Sequence, residues 1–305
     1  PEGDVYKKLK VKKNCNVVVV GAGTAGMEAA CTAAEVGCNV FVLEKQDHIG
    51  GLSSLISDLP SKSRMKDFPT YLERRAAKLP NLYLFLNTEA TLDKIKTFKP
   101  DVVVNATGSV PLVPPIPGLR ENIAAGNVST IFDMIRDVNA GKYPEEACKG
   151  KKVVVMGGGS VGLDVVEYFA PRGAECSIVD MLPQIGMMAD PITKCSMRET
   201  HDTYGVKEYV NTALQEVKEN AFVVKTPEGN LEELTFDLGF NCLGMRANNP
   251  ILEALEQEFG GTDTVVYNIG DSVRARRIME GTMDGRAILN VLENQGYLDS
   301  LDEIR

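Results

Sequence analysis

The chain repeats itself at an offset of 136 residues, and what repeats is a glycine turn together with its sequel. Gly21-Ala22-Gly23-Thr24-Ala25-Gly26 returns as Gly157-Gly158-Gly159-Ser160-Val161-Gly162. Glu44, which closes the apolar run 39–43, returns as Asp180 after the run 176–179. The segment DVVVNATG at 101–108 returns as DLGFNCLG at 237–244. One GxGxxG turn constrains little. Two in the same register, each with a strand before it, a helix after it and an acid at the same spacing, call for two β-α-β units that each hold a dinucleotide.

The pattern between these landmarks fits that demand. A β-branched run at 16–20 ends at Gly21 as a buried parallel strand should, and an Ala-rich helix at 24–36 is stopped by Gly37. Further elements are a strand at 39–43, a helix at 66–79 ended by Pro80, and strands at 82–86 and 102–105. Pro111, Pro114, Pro115 and Pro117 make a stiff crossover. Beyond it come a helix at 131–138, strands at 151–156, 206–210 and 222–225, a turn at 227–230 and a second crossover at 247–250. A strand at 264–269 runs into Gly270-Asp271, and a closing helix is expected over 279–295. Alternating strands and helices predict an α/β chain of two doubly wound, Rossmann-like dinucleotide-binding domains. The final strand and helix have no sheet of their own. The second domain, 113–261, is therefore expected as an insertion in the first, 1–112 plus 262–305.

Each cradle has a steric and electrostatic logic. Gly21 and Gly157 permit the tight turn, Gly23 and Gly159 let backbone approach a pyrophosphate, and Gly26 and Gly162 let helix pack on strand. The helix start at Thr24-Ala25, or Ser160-Val161, offers free N–H groups and a positive dipole end to the anion. Glu44 stands 18 residues after Gly26, and Asp180 stands 18 after Gly162, where a carboxylate can accept from both hydroxyls of an adenosine ribose. A 2′-phosphate beside Asp180 would meet repulsion, and Met181-Leu182-Pro183 supplies no cation to answer it. The second site thus favours NAD(H) over NADP(H).

Other functions are disfavoured. A net charge of −9 argues against nucleic acid or an anionic membrane as partner. No apolar run approaches the roughly 18–20 residues of a membrane span. The seven cysteines (15, 31, 38, 148, 176, 195 and 242) show neither CxxC nor CxxxxC spacing, so no metal site or disulfide framework is expected, and reduced thiols suit a cytoplasmic protein. His48 and His201 read as ordinary residues, with no partner suggestive of catalysis. Pro1 in place of Met suggests a processed end or a piece of a longer chain.

Through Gly21–Gly26, Glu44, Gly50-Gly51, Asn105-Ala106-Thr107-Gly108 and Gly270-Asp271 the chain resembles the two-dinucleotide-binding-domain flavoproteins. Gly50-Gly51-Leu52, Leu59-Pro60-Ser61-Lys62, Lys66-Asp67-Phe68 and Tyr71-Leu72 are similar, more particularly, to the C-terminal module of 2-enoate reductases and 2,4-dienoyl-CoA reductases. That resemblance implies FAD in the first cradle and NADH in the second. It adds Lys45, Gly50, Gly51, Leu52, Ala106, Thr107, Gly108, Gly270, Asp271, Ile278 and Met279 to the FAD site, and Gly244 to the NADH site. Asp271 would accept from a ribityl hydroxyl, the alternative being a plain turn and helix cap. The helix starting near Ile278-Met279 would aim its positive end at the flavin N1–C2=O edge.

The resemblance also implies hydride transfer from NADH to FAD with no protein acid or base as catalyst. Disulfide reductases of the superfamily carry CxxxxC where this chain reads Leu52-Ser53-Ser54-Leu55. Electrons would instead pass to an iron–sulfur and FMN-containing enoate reductase part. Alternatives are a reductase of ferredoxin or rubredoxin type, a synthase small subunit, or a structural module that merely retains ADP. Arg274, Arg276 and Arg277 read either as a solvated loop or as a docking patch for an acidic electron partner.

Overall fold

A computed structural model describes residues 8–299 of the chain. Pro1 lies outside the described residues, as do residues 300–305 of the expected first domain. The described chain forms two compact units, one of residues 8–57, 62–110 and 246–299, the other of residues 58–61 and 111–245. The return to the first unit falls at 245–246, beside the crossover read at 247–250, and not at 261. The helix Leu252–Phe259 explains the difference. Its Leu255 is fully buried in a cluster with Val18, Val20 and Val103, so it covers the first sheet.

The first unit is a five-stranded parallel sheet in the order Val265–Asn268, Val102–Asn105, Asn16–Val20, Asn39–Leu43, Leu82–Phe85. Alternation decides what each side chain covers. Val17 and Val19 join Val40, Val42, Val102 and Val104 beneath the helix Thr24–Glu35, whereas Val18, Val20 and Val103 point to the cluster holding Ile95 and Leu255. Burying each of these valines contributes on the order of 1.5–3 kcal/mol. The small residues Ala29, Ala30, Ala33 and Ala34 are all buried in the helix, which lets it lie close on the strands.

The closing segment is two helices, Ile278–Arg286 and Ile288–Asn294, where the sequence pattern suggested one. The break at Ala287 serves two packing demands at once. Gly281 and Gly285 put the first helix hard against Thr24–Glu35, and a Cβ on Gly285 would come within 2.6 Å of the Ala25 carbonyl oxygen. Ile288, Leu289 and Leu292 then turn into the core.

The second unit repeats the plan with the order Val128–Thr130, Leu238–Asn241, Lys152–Met156, Glu175–Val179, Lys207–Tyr209, again all parallel. The helix Ser160–Phe169 follows its glycine turn, and Phe169 meets Phe240 of the sheet at 5.3 Å between ring centroids. An antiparallel sheet of Ala213–Lys218, Ala221–Lys225 and Leu231–Thr235 adds Val217, Phe222 and Val224 to a core with Leu119, Val154 and Met156. Thr130 and Asp133 close a reciprocal capping box on the helix Ile131–Asn139. Among the described residues no helix is long and apolar enough to cross a membrane.

Candidate functional site

At the C-terminal edge of the first sheet the chain turns at Gly21, whose φ of +98° strains any residue with a Cβ. The Gly21 amide donates to the Leu43 carbonyl at 2.9 Å, and a Cβ there would sit 2.5 Å from the Ala106 carbonyl oxygen. Gly26 is pressed on the Gly21 carbonyl, where a Cβ would come to 2.1 Å. Gly23 is different, since a Cβ on it would meet nothing within 4 Å. The first and third glycines are therefore required by the fold, and the second leaves room for something outside it. The helix Thr24–Glu35 has no side-chain cap and no acid in its first turn. The amides that a helix leaves unpaired at its start, here those of Thr24 and Ala25, thus stay available to an anion.

Buried Glu44 accepts from the Ala22 amide at 2.7 Å through Oε2 and from the Gln46 amide at 2.8 Å through Oε1. Each oxygen keeps a lone pair for a further donor. The Gly50 amide donates to the Ala22 carbonyl at 2.8 Å, and Gly50 bridges to Gly23, which lays Gly50-Gly51 along the cradle. Leu52 is half-buried in the short helix Gly51–Ile56, and Lys45 is exposed. Ala106 is buried under Gly21. Thr107 donates its hydroxyl to the Asn248 carbonyl at 2.6 Å, and the Gly108 carbonyl accepts from the Asn248 amide at 2.9 Å.

Gly270 closes the same site from the far strand, and a Cβ on it would come to 2.8 Å of Ala25 Cβ. Asp271 accepts from Ser109 Oγ and from the Arg276 amide, both at 3.0 Å, so its carboxylate is fixed in place. Ile278 is half-buried, and Met279 is 59% exposed where the helix begins.

The second unit repeats the glycine turn and its pinned carboxylate. Gly157 has φ +112°, its amide donates to the Val179 carbonyl at 2.8 Å, and a Cβ would lie 2.1 Å from the Cys242 carbonyl oxygen. A Cβ on Gly162 would reach 1.9 Å from the Gly157 carbonyl oxygen, and one on Gly159 would meet nothing. Asp180 accepts from the Gly158 amide at 2.6 Å and the Leu182 amide at 2.8 Å. Ser160 is exposed and Val161 half-buried at a helix start again free of acids and caps. The Gly244 carbonyl accepts from the Leu112 amide at 2.9 Å. Asn241, 2% exposed at the end of its strand, leaves Oδ1 buried without a partner.

One counterpart escaped the sequence reading. The Gly186 amide donates to the Gly158 carbonyl at 2.8 Å, as Gly50 does to Ala22, and it stands at the same 136-residue offset from Gly50. The repeat itself was the signal. A second group had none. Arg75, 7% exposed at its side chain, pairs with Glu28 and Glu35 at 2.8 Å each, and Glu28 also meets Arg286 at 3.2 Å. His201, expected as an ordinary residue in a polar segment, is buried with Nδ1 2.5 Å from Glu208 Oε1. His48 is exposed beside Asp47 at 2.6 Å.

Twin glycine cradles, each with a free helix start and a pinned carboxylate, define a protein that handles two nucleotides. The profile of the pyridine nucleotide-disulphide oxidoreductase family matches residues 62–271, and that of the FAD dependent oxidoreductases matches residues 16–66. The chain belongs to the pyridine nucleotide-disulphide oxidoreductase family. It is 32% identical over 285 residues to an NADH oxidase of Thermoanaerobacter brockii, covering 92% of this chain and 42% of that protein. It is 30% identical over 191 residues to a cinnamate reductase of Clostridium sporogenes, covering 61% of this chain and 26% of the relative. A solved 2-naphthoyl-CoA reductase complex superposes with TM-score 0.77 at 31% identity, over 92% of this chain and 40% of the other.

The chain thus spans about two fifths of the NADH oxidase and of the naphthoyl-CoA reductase. That family is one of NAD(P)H-dependent flavoprotein oxidoreductases, and the matches indicate FAD and NAD(H) as the cofactors. The open space at Gly23 and Gly159 and the outer lone pairs of Glu44 and Asp180 fit such groups.

Proposed function

We propose that the chain is the NADH-oxidising flavin module of a larger reductase of conjugated C=C bonds, with FAD in the first cradle and NADH in the second. When bound, FAD supplies the redox chemistry, accepting hydride from NADH and releasing electrons onward. The residues of the chain bind and orient. Gly23 and the amides of Thr24 and Ala25 receive the FAD pyrophosphate, as Gly159, Ser160 and Val161 receive that of NADH. Glu44 and Asp180 accept from adenosine ribose hydroxyls through the lone pairs left outside the turn. Asp180 excludes a 2′-phosphate. No side chain need donate or take a proton when hydride moves between rings held about 3–3.5 Å apart.

The observation that carries this reading is the paired cradle with Leu52-Ser53-Ser54-Leu55 at the place of a redox cysteine pair. Ser53 and Ser54 donate instead to the Met65 and Ile49 carbonyls, both at 2.9 Å. A flavin here has no dithiol to reduce and delivers electrons to a partner. The match of the FAD profile to residues 16–66 supports FAD in the first cradle. The names of the cinnamate and naphthoyl-CoA reductases support an acceptor conjugated to a carboxylate or thioester, reached through an iron–sulfur and FMN-containing part. The test is an acceptor series with FAD-loaded protein and NADH. Ferricyanide should be reduced and oxidised lipoamide should not. Turnover of lipoamide, or NADH oxidation with no acceptor at all in the series, contradicts the reading.

A further inference from the structure

The helix Ile278–Arg286 has two faces of opposite kind. Gly281 and Gly285 lie against the helix Thr24–Glu35, where a Cβ would come to 3.5 Å from Ala25 Cβ and 2.6 Å from the Ala25 carbonyl oxygen. At about 100° per residue, Met279 and Met283 fall on the other side. They are 59% and 63% exposed. The segment that enters the helix is open in the same way, with Val273, Arg274 and Arg277 all exposed. Neither of these arginines makes a side-chain hydrogen bond or ion pair among the described residues. Arg276 between them is turned inward to Asp284.

The composition of this strip is that of an interface. A solvated helix face ordinarily carries charged and polar side chains. Here the outward positions hold Met and Arg, two types enriched where proteins meet, with none of the Lys and Glu that such contacts avoid. Methionine is flexible enough to follow an irregular partner surface. Charge sets the kind of partner. The chain carries −9 overall, so its field repels an acidic protein everywhere except at unmatched cations such as Arg274 and Arg277. Position sets the purpose. Gly270 and Gly281 both abut Ala25 at the start of Thr24–Glu35, so the strip belongs to the segment that flanks the first cradle.

We propose that Val273, Arg274, Arg277, Met279 and Met283 form the docking surface for the electron-accepting part of the reductase, which presents carboxylates around an apolar centre. The proposal rests on the reading of the chain as an electron-delivering module.

The experiment offers the FAD-loaded chain NADH and two protein acceptors, rubredoxin, a small acidic iron protein, and cytochrome c, a basic haem protein. Each NADH reduces two ferric irons and leaves as NAD+ with release of a proton. At low ionic strength the KM for rubredoxin should lie at least about tenfold below that for cytochrome c, and added salt should narrow the gap. R274E/R277E should reverse the order, and M283E should raise the rubredoxin KM about threefold or more. Turnover of a neutral quinone and FAD content should stay at wild-type levels in both variants. Rubredoxin binding to the chain, followed by biolayer interferometry without NADH, should weaken by the same factors. A wild-type chain that treats the two proteins alike, or an R274E/R277E chain with unchanged rubredoxin KM and binding, overturns the proposal. A dimer in sedimentation that R274E/R277E dissolves assigns the face to a second copy and overturns it as well. If R274E/R277E does not fold, M283E decides. A wild-type chain that passes no electrons even to the quinone defeats the electron-delivering reading, while the binding comparison still judges the surface.

Discussion

Glu44 Oε2 holds the Ala22 amide at 2.7 Å, and at the same offset as the glycine turns Asp180 Oδ2 holds the Gly158 amide at 2.6 Å. Each carboxylate ties the end of the strand after the helix to the glycine turn before it, within one β-α-β repeat. Each is thereby positioned before any nucleotide arrives, so binding does not have to order it. Charge-assisted hydrogen bonds contribute about 1.5–3 kcal/mol. Asp180→Ala should raise the KM for NADH about ten- to a hundredfold and leave the FAD content unchanged. Asp180→Ser with Met181→Arg should shift preference toward NADPH, because Met181 is 72% exposed and an arginine there is free to meet a 2′-phosphate. Steady-state kinetics with both cofactors check this, and an unmoved preference would refute the ribose assignment.

The glycines of each turn separate folding from binding. Gly21→Ala and Gly157→Ala place a Cβ within 2.5 Å and 2.1 Å of a carbonyl oxygen at positive φ and should lower the thermal midpoint. Gly23→Ala and Gly159→Ala meet nothing in the fold and should melt as wild type does. They should still lose FAD and NADH affinity respectively, since the methyl fills the space next to the helix start. Melting curves and ligand titrations of the four variants test both halves.

What could be read from the sequence was local. A β-branched run, a glycine turn and an acid at fixed spacing lie within one β-α-β unit, and Val17–Val20, Gly21 and Glu44 sit where that pattern put them. Contacts between distant residues left no such trace. Arg75 reaches back 47 residues to Glu28, and Arg286 reaches Glu28 across 258, while neither spacing has a periodicity to betray it. The break at Ala287 was hidden because both halves of 279–295 have helical composition, and only the close seat of Gly285 against Ala25 separates them. Arg276 looked like its exposed neighbours until Asp284 and Asp271 were found on it.

The buried charges between Thr24–Glu35 and its neighbours predict an uneven response. Arg75→Met would strand Glu28 and Glu35, 4% and 9% exposed at their side chains, without their central cation. Breaking such a pair from one side costs about 3–5 kcal/mol. Arg286 is 45% exposed, and its pairing is screened by solvent, so Arg286→Met should cost under about 1 kcal/mol. Urea denaturation of the two variants gives the comparison, and equal losses would refute it.

Six of the seven cysteines are buried, and Cys195 is exposed. Burial pushes the thiols of Cys31 and Cys176 up to about 12, and it also raises Cys148 and Cys242. Cys15 is raised first by its hydrogen bond with Cys38 and then by burial. Thiolate is the reactive form. A chromogenic disulfide at pH 8 should therefore titrate one thiol in the native protein and none in Cys195→Ser. A second fast thiol would show that the core is less closed than described.

Anaerobic titration of the FAD-loaded chain with NADH, followed by its visible spectrum, tests the central claim of two cooperating cradles most directly. The flavin band should bleach in proportion to NADH added and be complete near one equivalent. A protein that takes up no FAD, or whose flavin band stays unchanged under excess NADH, contradicts it.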